Sequence, residues 1–150
     1  MNTVRSCVLL TVLTFLSTPV GIAQEQLGKV TFPTSCDPKV QAQFERGVAM
    51  LHSYWFTEAG KVFDAVAKQD PNCVMAYWGY AVNLLGNSLA SPPSAKDAQA
   101  AWEALERARA IGAKTKRESD WIEALSAYYR DYDKVPLDDH YSPTQRRWSK

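Results

Sequence analysis

The sequence lacks the short motifs that mark most catalytic and cofactor-binding sites. It contains no Cys-x-x-Cys-His for haem, no glycine-rich phosphate loop and no Gly-x-Ser-x-Gly elbow. Histidine occurs only twice, and neither His52 nor His140 has the spacing to a second ligand that a helical zinc site requires. We therefore predict no enzyme activity, no metal and no cofactor. The rival hypothesis, a metal or catalytic site, would have to combine a histidine with Glu58, Asp64 or Asp139.

The chain also lacks a large net charge and a hydrophobic run long enough for a bilayer. Its formal net charge is +1, whereas nucleic acid and anionic lipid attract clustered Lys and Arg, so neither is a predicted partner. The apolar run at residues 6–19 falls short of the roughly 20 residues that span a membrane. It follows Arg5 and precedes Gly21-Ile22-Ala23, as in a secretory signal peptide cleaved near Ala23, the alternative being an uncleaved anchor. We expect an exported protein, periplasmic or secreted, with no membrane partner after cleavage.

Only two cysteines, Cys36 and Cys73, remain after removal of residues 1–23. Each lies just before the first helix of a predicted hairpin, in a compartment that permits disulfides. A bridge between them would close a loop of about 37 residues and stabilise the fold by roughly 3 to 4 kcal/mol. The alternative is a pair of small buried thiols.

Residues 37–80 set the pattern for the rest of the chain. Asp37 followed by Pro38 is typical of a helix start. Apolar or small residues then recur at helical spacings of three and four, namely Val40, Phe44, Gly47, Val48, Leu51 and Trp55. A second helix is predicted to begin at a Thr57 cap and to end at Asp70-Pro71-Asn72. The short connection makes the pair an antiparallel helical hairpin.

The same pattern restarts further along the chain. It predicts helices at about 72–86, 94–112 and 115–131, with Ser94 and Thr115 as N-caps and a glycine ending each of the first two. A last helix start at Ser142-Pro143-Thr144-Gln145 comes close to the final residue. We therefore expect a repeat domain over 37–150 that is incomplete at its C-terminus, preceded by an extended segment over 24–36.

The spacing of the small residues connects this pattern with a family. Gly47, Ala59, Phe63 and Pro71, followed by Ala81 at 34 residues from Gly47, resemble the tetratricopeptide repeat pattern. The resemblance covers about residues 37–129. It implies an all-α fold, a right-handed stack of antiparallel helical hairpins forming an α-solenoid that is truncated in its third hairpin.

The resemblance also implies a function, which is to bind another protein or peptide in a concave groove lined by the first helix of each hairpin. The predicted groove residues are Glu45, Val48, His52, Met75, Trp78, Val82, Ile122, Tyr129 and Arg130. The apolar members Val48, Trp78 and Ile122 have an alternative reading as core residues. The partner's identity and the oligomeric state stay open.

Alternative functions belong to other classes. The chain fits the repeat region of a larger enzyme, or of a metal- or carbohydrate-binding protein, whose active part lies beyond Lys150. Adjacent aromatic residues could stack on sugars, although aromatics at helical spacing are more often core. These pairs are Tyr54-Trp55, Tyr77-Trp78 and Tyr128-Tyr129.

Overall fold

The computed structural model describes residues 27–87 and 91–134, and within these ranges the chain is all-helical. The five helices are α1 (Pro38–His52), α2 (Phe56–Gln69), α3 (Val74–Asn83), α4 (Ala95–Ile111) and α5 (Lys116–Tyr129). No residue of these ranges lies in a strand, so the all-α prediction is confirmed. None of the helices there is both long and apolar enough to cross a bilayer. The predicted signal peptide and the helix start at residue 142 lie outside the described residues.

Side-chain caps begin three of the helices where the sequence predicts them. The Asp37 carboxylate accepts a hydrogen bond from the Lys39 N–H at 2.8 Å, with proline at the first helical position of α1. Ser94 Oγ caps α4, and Thr115 Oγ1 caps α5 by accepting from the Glu118 N–H at 3.2 Å. These bonds satisfy N–H groups that have no partner within the first turn of a helix.

Two helix ends differ from the predictions. The Thr57 cap is wrong, because α2 begins at Phe56 with Trp55 as its N-cap and has no side-chain cap. The third helix ends at Asn83 and not at Gly86, which follows in a turn with a φ of 56°. A positive φ suits glycine, which has no Cβ. Gly86 therefore lies in the connection after the helix and is not the residue at which the helix ends.

Contacts between helix ends show that neighbouring helices run antiparallel. The Asp37 N–H at the start of α1 donates to Asp70 Oδ2 at the end of α2, at 2.8 Å. Arg107, near the end of α4, donates from Nε to the hydroxyl of Tyr77, near the start of α3, at 3.2 Å. Each helix therefore returns along the one before it, as their short connections require.

Helices α1, α3 and α5 run in the same direction with their starts at one end of the molecule. A disulfide joins Cys36, just before α1, to Cys73, just before α3, with the two Cα atoms 4.6 Å apart. At the other end, the Tyr129 hydroxyl at the close of α5 donates to the Ala81 carbonyl of α3 at 3.1 Å. Helix α3 packs on both α1 and α5, so the three helices form one side of the described structure.

The core is organised around the ring of Phe63, which is fully buried in α2. A Cβ added to Gly47 of α1 would lie 2.9 Å from this ring, and one added to Gly79 of α3 would lie 2.5 Å from it. Real Cβ atoms do not approach a neighbour that closely. The two glycines therefore let α1 and α3 both approach the same edge of this aromatic ring, at its Cε1 and Cζ atoms.

Candidate functional site

A groove with a volume of about 460 Å³ lies where α1, α3 and α5 face the N-terminal segment. Its lining residues are Phe32, Val48, Leu51, His52, Trp78, Val82, Trp121, Ala124 and Leu125. His52 is the one titratable side chain among them. Such a surface favours apolar side chains of a ligand over charged ones.

Residues 27–35, which we call the strap, cross this side of the molecule and belong to no helix or strand. The Phe32 ring lies near one aromatic ring from each of the three parallel helices. Its centroid is 5.5 Å from that of Phe44 in α1, 5.7 Å from Trp78 in α3 and 5.6 Å from Trp121 in α5. The Trp78 and Trp121 rings also meet edge to face at 5.0 Å. Phe32 therefore occupies an aromatic seat at the edge of the groove.

Side chains of α1 bind the backbone of the strap. Glu45 Oε1 accepts from the Phe32 N–H at 3.0 Å, and Gln41 Nε2 donates to the Phe32 carbonyl at 2.8 Å. The same Gln41 amide accepts from the Thr34 N–H at 3.1 Å through its oxygen. These three backbone groups of the strap, which pair with no strand, are thereby satisfied by helix side chains.

Glu118 holds the base of the strap and is almost fully buried, with 1% of its surface exposed. Its two carboxylate oxygens accept from the N–H and the hydroxyl of Ser35, both at 2.7 Å. The sequence predicts Thr115 as the cap of this helix but does not predict that Glu118 binds the strap. Glu118 is 83 residues from Ser35 in the chain, so no local sequence pattern predicts this contact. The contact forms only when α5 packs beside the start of α1.

Four predicted groove residues lie at this site. Val48, His52, Trp78 and Val82 line the groove, although Val48 and Trp78 are also largely buried, at 5% and 6% exposure. Glu45 lies beside them but faces the strap backbone. The groove and core readings of Val48 and Trp78 therefore both describe the structure, because an edge of each side chain reaches the groove.

The other predicted members lie elsewhere. Met75 and Tyr129 have no exposed surface, so their placement on the groove is corrected: both belong to the core. Ile122 is likewise buried, at 2% exposure. Arg130 is exposed at the C-terminal end of α5 and is absent from the groove lining. A shift of one residue in helical register exchanges a groove position for a core position. Sequence spacing alone does not determine this register.

Burial of Tyr129 gives the fold an alkaline limit that can be measured. Desolvation raises the pKa of its hydroxyl above the ordinary value near 10, with smaller contributions from Tyr128 and Asp97. Above pH 10 the unfolded chain loses this proton while the folded chain keeps it. The contribution of the protonated Tyr129 hydroxyl to the free energy of unfolding is therefore complete below pH 10 and falls as the pH rises. We expect the free energy of unfolding to decline above pH 10 by up to about 1.4 kcal/mol per pH unit.

Urea unfolding of the wild type and of Tyr129→Phe between pH 8 and 11.5 checks this expectation. The variant loses the bond to the Ala81 carbonyl, which costs about 1 kcal/mol near neutral pH, but its stability should depend less steeply on pH above 10. Equal slopes for the two proteins would show that Tyr129 does not carry the effect.

Among the residues that the structure describes, His52, Glu58 and Asp64 belong to no cluster of potential metal ligands. Glu58 and Asp64 are on the exposed side of α2 and pair with Lys61 and Lys68, at 2.7 and 2.5 Å. His140 and Asp139 lie outside the described residues. Among residues 27–87 and 91–134, one group of potential ligands has atoms within 4.8 Å of one another, and it consists of Cys36, Asp70 and Cys73. Its two sulfurs are bonded to each other, so this group offers no thiolate in its oxidised form.

The three aromatic pairs occupy different environments. Tyr54 and Trp55 are exposed at the α1–α2 connection, at 63% and 44%. Trp78 and Tyr129 are buried, so their pairs cannot present two ring faces to a sugar. Tyr54 has a φ of 60°, and its ring meets Phe56 edge to face at 5.8 Å.

Comparison of the whole chain with protein-family models, with curated proteins and with solved structures found no match.

Proposed function

We propose that this chain is a protein-binding scaffold of the tetratricopeptide type, which binds an extended segment of another protein in the groove between α1, α3 and α5. The observation that carries this proposal is the groove itself. Residues of three parallel helices line it together with Phe32, all of the lining side chains except His52 are apolar, and Trp121 remains 44% exposed. Contiguous exposed apolar surface is uncommon on soluble monomeric proteins, and where it occurs it often marks an interaction site.

The arrangement of the described helices supports the same proposal. Antiparallel neighbours with α1, α3 and α5 side by side are the arrangement expected of stacked helical hairpins, whose first helices line a concave side. The right-handed stack is what the resemblance of Gly47, Ala59, Phe63 and Pro71 to the tetratricopeptide repeat pattern implies. The proposed location is the periplasm or the secreted space, and it rests on the signal-peptide pattern of residues 1–23.

Blocking the groove tests the proposal. Ala124 is exposed on α5 and lines the groove, so Ala124→Arg should place a long charged side chain in it without disturbing the core. Peptides selected from a displayed random library against the full chain should bind Ala124→Arg at least tenfold more weakly than the wild type, by fluorescence anisotropy. A tenfold loss corresponds to about 1.4 kcal/mol.

Ala127→Arg is the matched control, because Ala127 is exposed on the same helix but does not line the groove. It should bind the selected peptides as the wild type does. Failure to select any peptide, or equal binding by Ala124→Arg and the wild type, would remove the support for a peptide-binding groove.

A further inference from the structure

The strap is bound by the helices in the manner of a ligand. We propose that residues 27–35 are an intramolecular ligand of the groove, and that the partner segment is an extended peptide with an aromatic side chain that takes the place of Phe32. This inference rests on the proposed function and gives the partner its chemistry. The partner must displace the outer part of the strap in order to bind.

The backbone contacts carry the first step. Gln41 accepts a hydrogen bond from the Thr34 N–H and donates one to the Phe32 carbonyl, while Glu45 accepts from the Phe32 N–H. Every extended peptide presents these groups at the same spacing, whatever its side chains, except where proline removes the N–H. The helix side chains therefore select an extended backbone and leave sequence preference to the aromatic seat.

The aromatic seat carries the second step. The Phe32 ring lies 5.7 Å from Trp78 in a stacked arrangement, and the Arg117 guanidinium carbon lies 5.1 Å from its centroid. A flat ring is favoured here over an aliphatic side chain, because it makes both the edge contacts and the cation–π contact. Phe32 also lines the groove, so displacement of its ring would connect the space that the ring occupies with the rest of the groove.

The base of the strap limits what can move. Glu118 holds Ser35 through both carboxylate oxygens, and the disulfide fixes Cys36 to the start of α3. Release therefore concerns residues 27–34, with Phe32 as their anchor, and it also breaks the hydrogen bond that Arg117 donates to the Pro33 carbonyl. Tethered so close to its site, the strap competes at an effective concentration in the millimolar range.

Binding of the strap sequence in trans tests this inference. The probe is a fluorescein-labelled peptide of residues 27–35, LGKVTFPTS, with a blocked C-terminus, and the proteins are full-length chains. In Phe32→Asp the tethered strap loses its ring and places a carboxylate near Glu45, so the site should open. We expect this variant to bind the probe at least tenfold more tightly than the wild type, by fluorescence anisotropy.

Two controls accompany the measurement. Thr31→Asp changes an exposed neighbour in the same strap and should bind the probe as weakly as the wild type. A probe carrying Phe32→Ala should bind the Phe32→Asp protein at least tenfold more weakly than the parent probe. Circular dichroism and thermal unfolding establish that each protein is folded.

Equal probe binding by the wild type and Phe32→Asp would overturn the inference. So would loss of cooperative unfolding in both Phe32→Asp and the milder Phe32→Ala, since the ring would then be part of the fold and not a displaceable ligand. Library peptides that bind at Ala124 but do not compete with the probe would leave the proposed function standing while the strap inference fails. Binding of the probe to Phe32→Asp when no library peptide can be selected would support the strap as a ligand and remove the support for the proposed function.

Discussion

Phe63→Ala should lower the free energy of unfolding by about 3–5 kcal/mol, the range for truncation of a fully buried phenylalanine. The ring fills the space that Gly47 and Gly79 leave between α1, α2 and α3, and it also contacts Phe44 at a centroid distance of 5.7 Å. Its removal would leave a cavity at the point where the two hairpins meet. Urea unfolding followed by circular dichroism measures the loss.

Gly79→Ala provides a control whose sign depends on Phe63. In the wild type the new Cβ would lie 2.5 Å from the ring, so we expect destabilisation of about 1–3 kcal/mol from overpacking. In the Phe63→Ala background the ring is gone, and alanine should stabilise the helix by up to about 1 kcal/mol over glycine. Additive effects of the two substitutions would show that the ring and the glycine do not form the contact described.

Loss of the disulfide should have an effect of similar size. Cys36→Ala with Cys73→Ala is expected to lower the free energy of unfolding by roughly 3 to 4 kcal/mol, because the bridge closes a loop of 37 residues that contains α1 and α2. Since small domains have only about 5–15 kcal/mol in total, this is a large fraction of the stability. Urea titration of the wild type with and without reductant should show the same difference.

Thiol labelling followed by intact-mass measurement identifies the bridge independently. After removal of residues 1–23 two cysteines remain, so an alkylating reagent in denaturant should label neither before reduction and both after it. Labelling of both without reductant, or unfolding free energies that do not respond to reductant, would contradict the assignment.

Local chemistry in the sequence was sufficient for most of the helical framework. The caps at Asp37, Ser94 and Thr115 were predictable because an N-cap side chain bonds to an N–H only two or three residues away. The apolar period of α1 predicted the burial of Val40, Phe44, Gly47 and Val48, because the helical repeat places them on one face, whereas Trp55 lies exposed beyond the end of the helix. The Thr57 cap was wrong because α2 begins one residue earlier, where the Trp55 carbonyl accepts from the Ala59 N–H without any side-chain cap.

Tertiary structure decided everything that depends on contacts between distant residues. Whether Met75 and Tyr129 face the groove or the core differs by about one residue of register, and only the packing of α3 against α1 and α5 sets that register. The close approach at Gly79 has no local signal, since a glycine within an apolar helix looks unfavourable until Phe63 is placed against it.

The strap shows the same division most clearly. By itself the sequence determined that residues 24–36 lack helical periodicity, which follows from their composition. Only the folded chain decided that Phe32 meets an aromatic residue of α1, α3 and α5, and that Glu118 reaches Ser35. The physical reason is that an extended segment has no internal hydrogen bonds to specify its path, so the surface on which it lies determines where it goes.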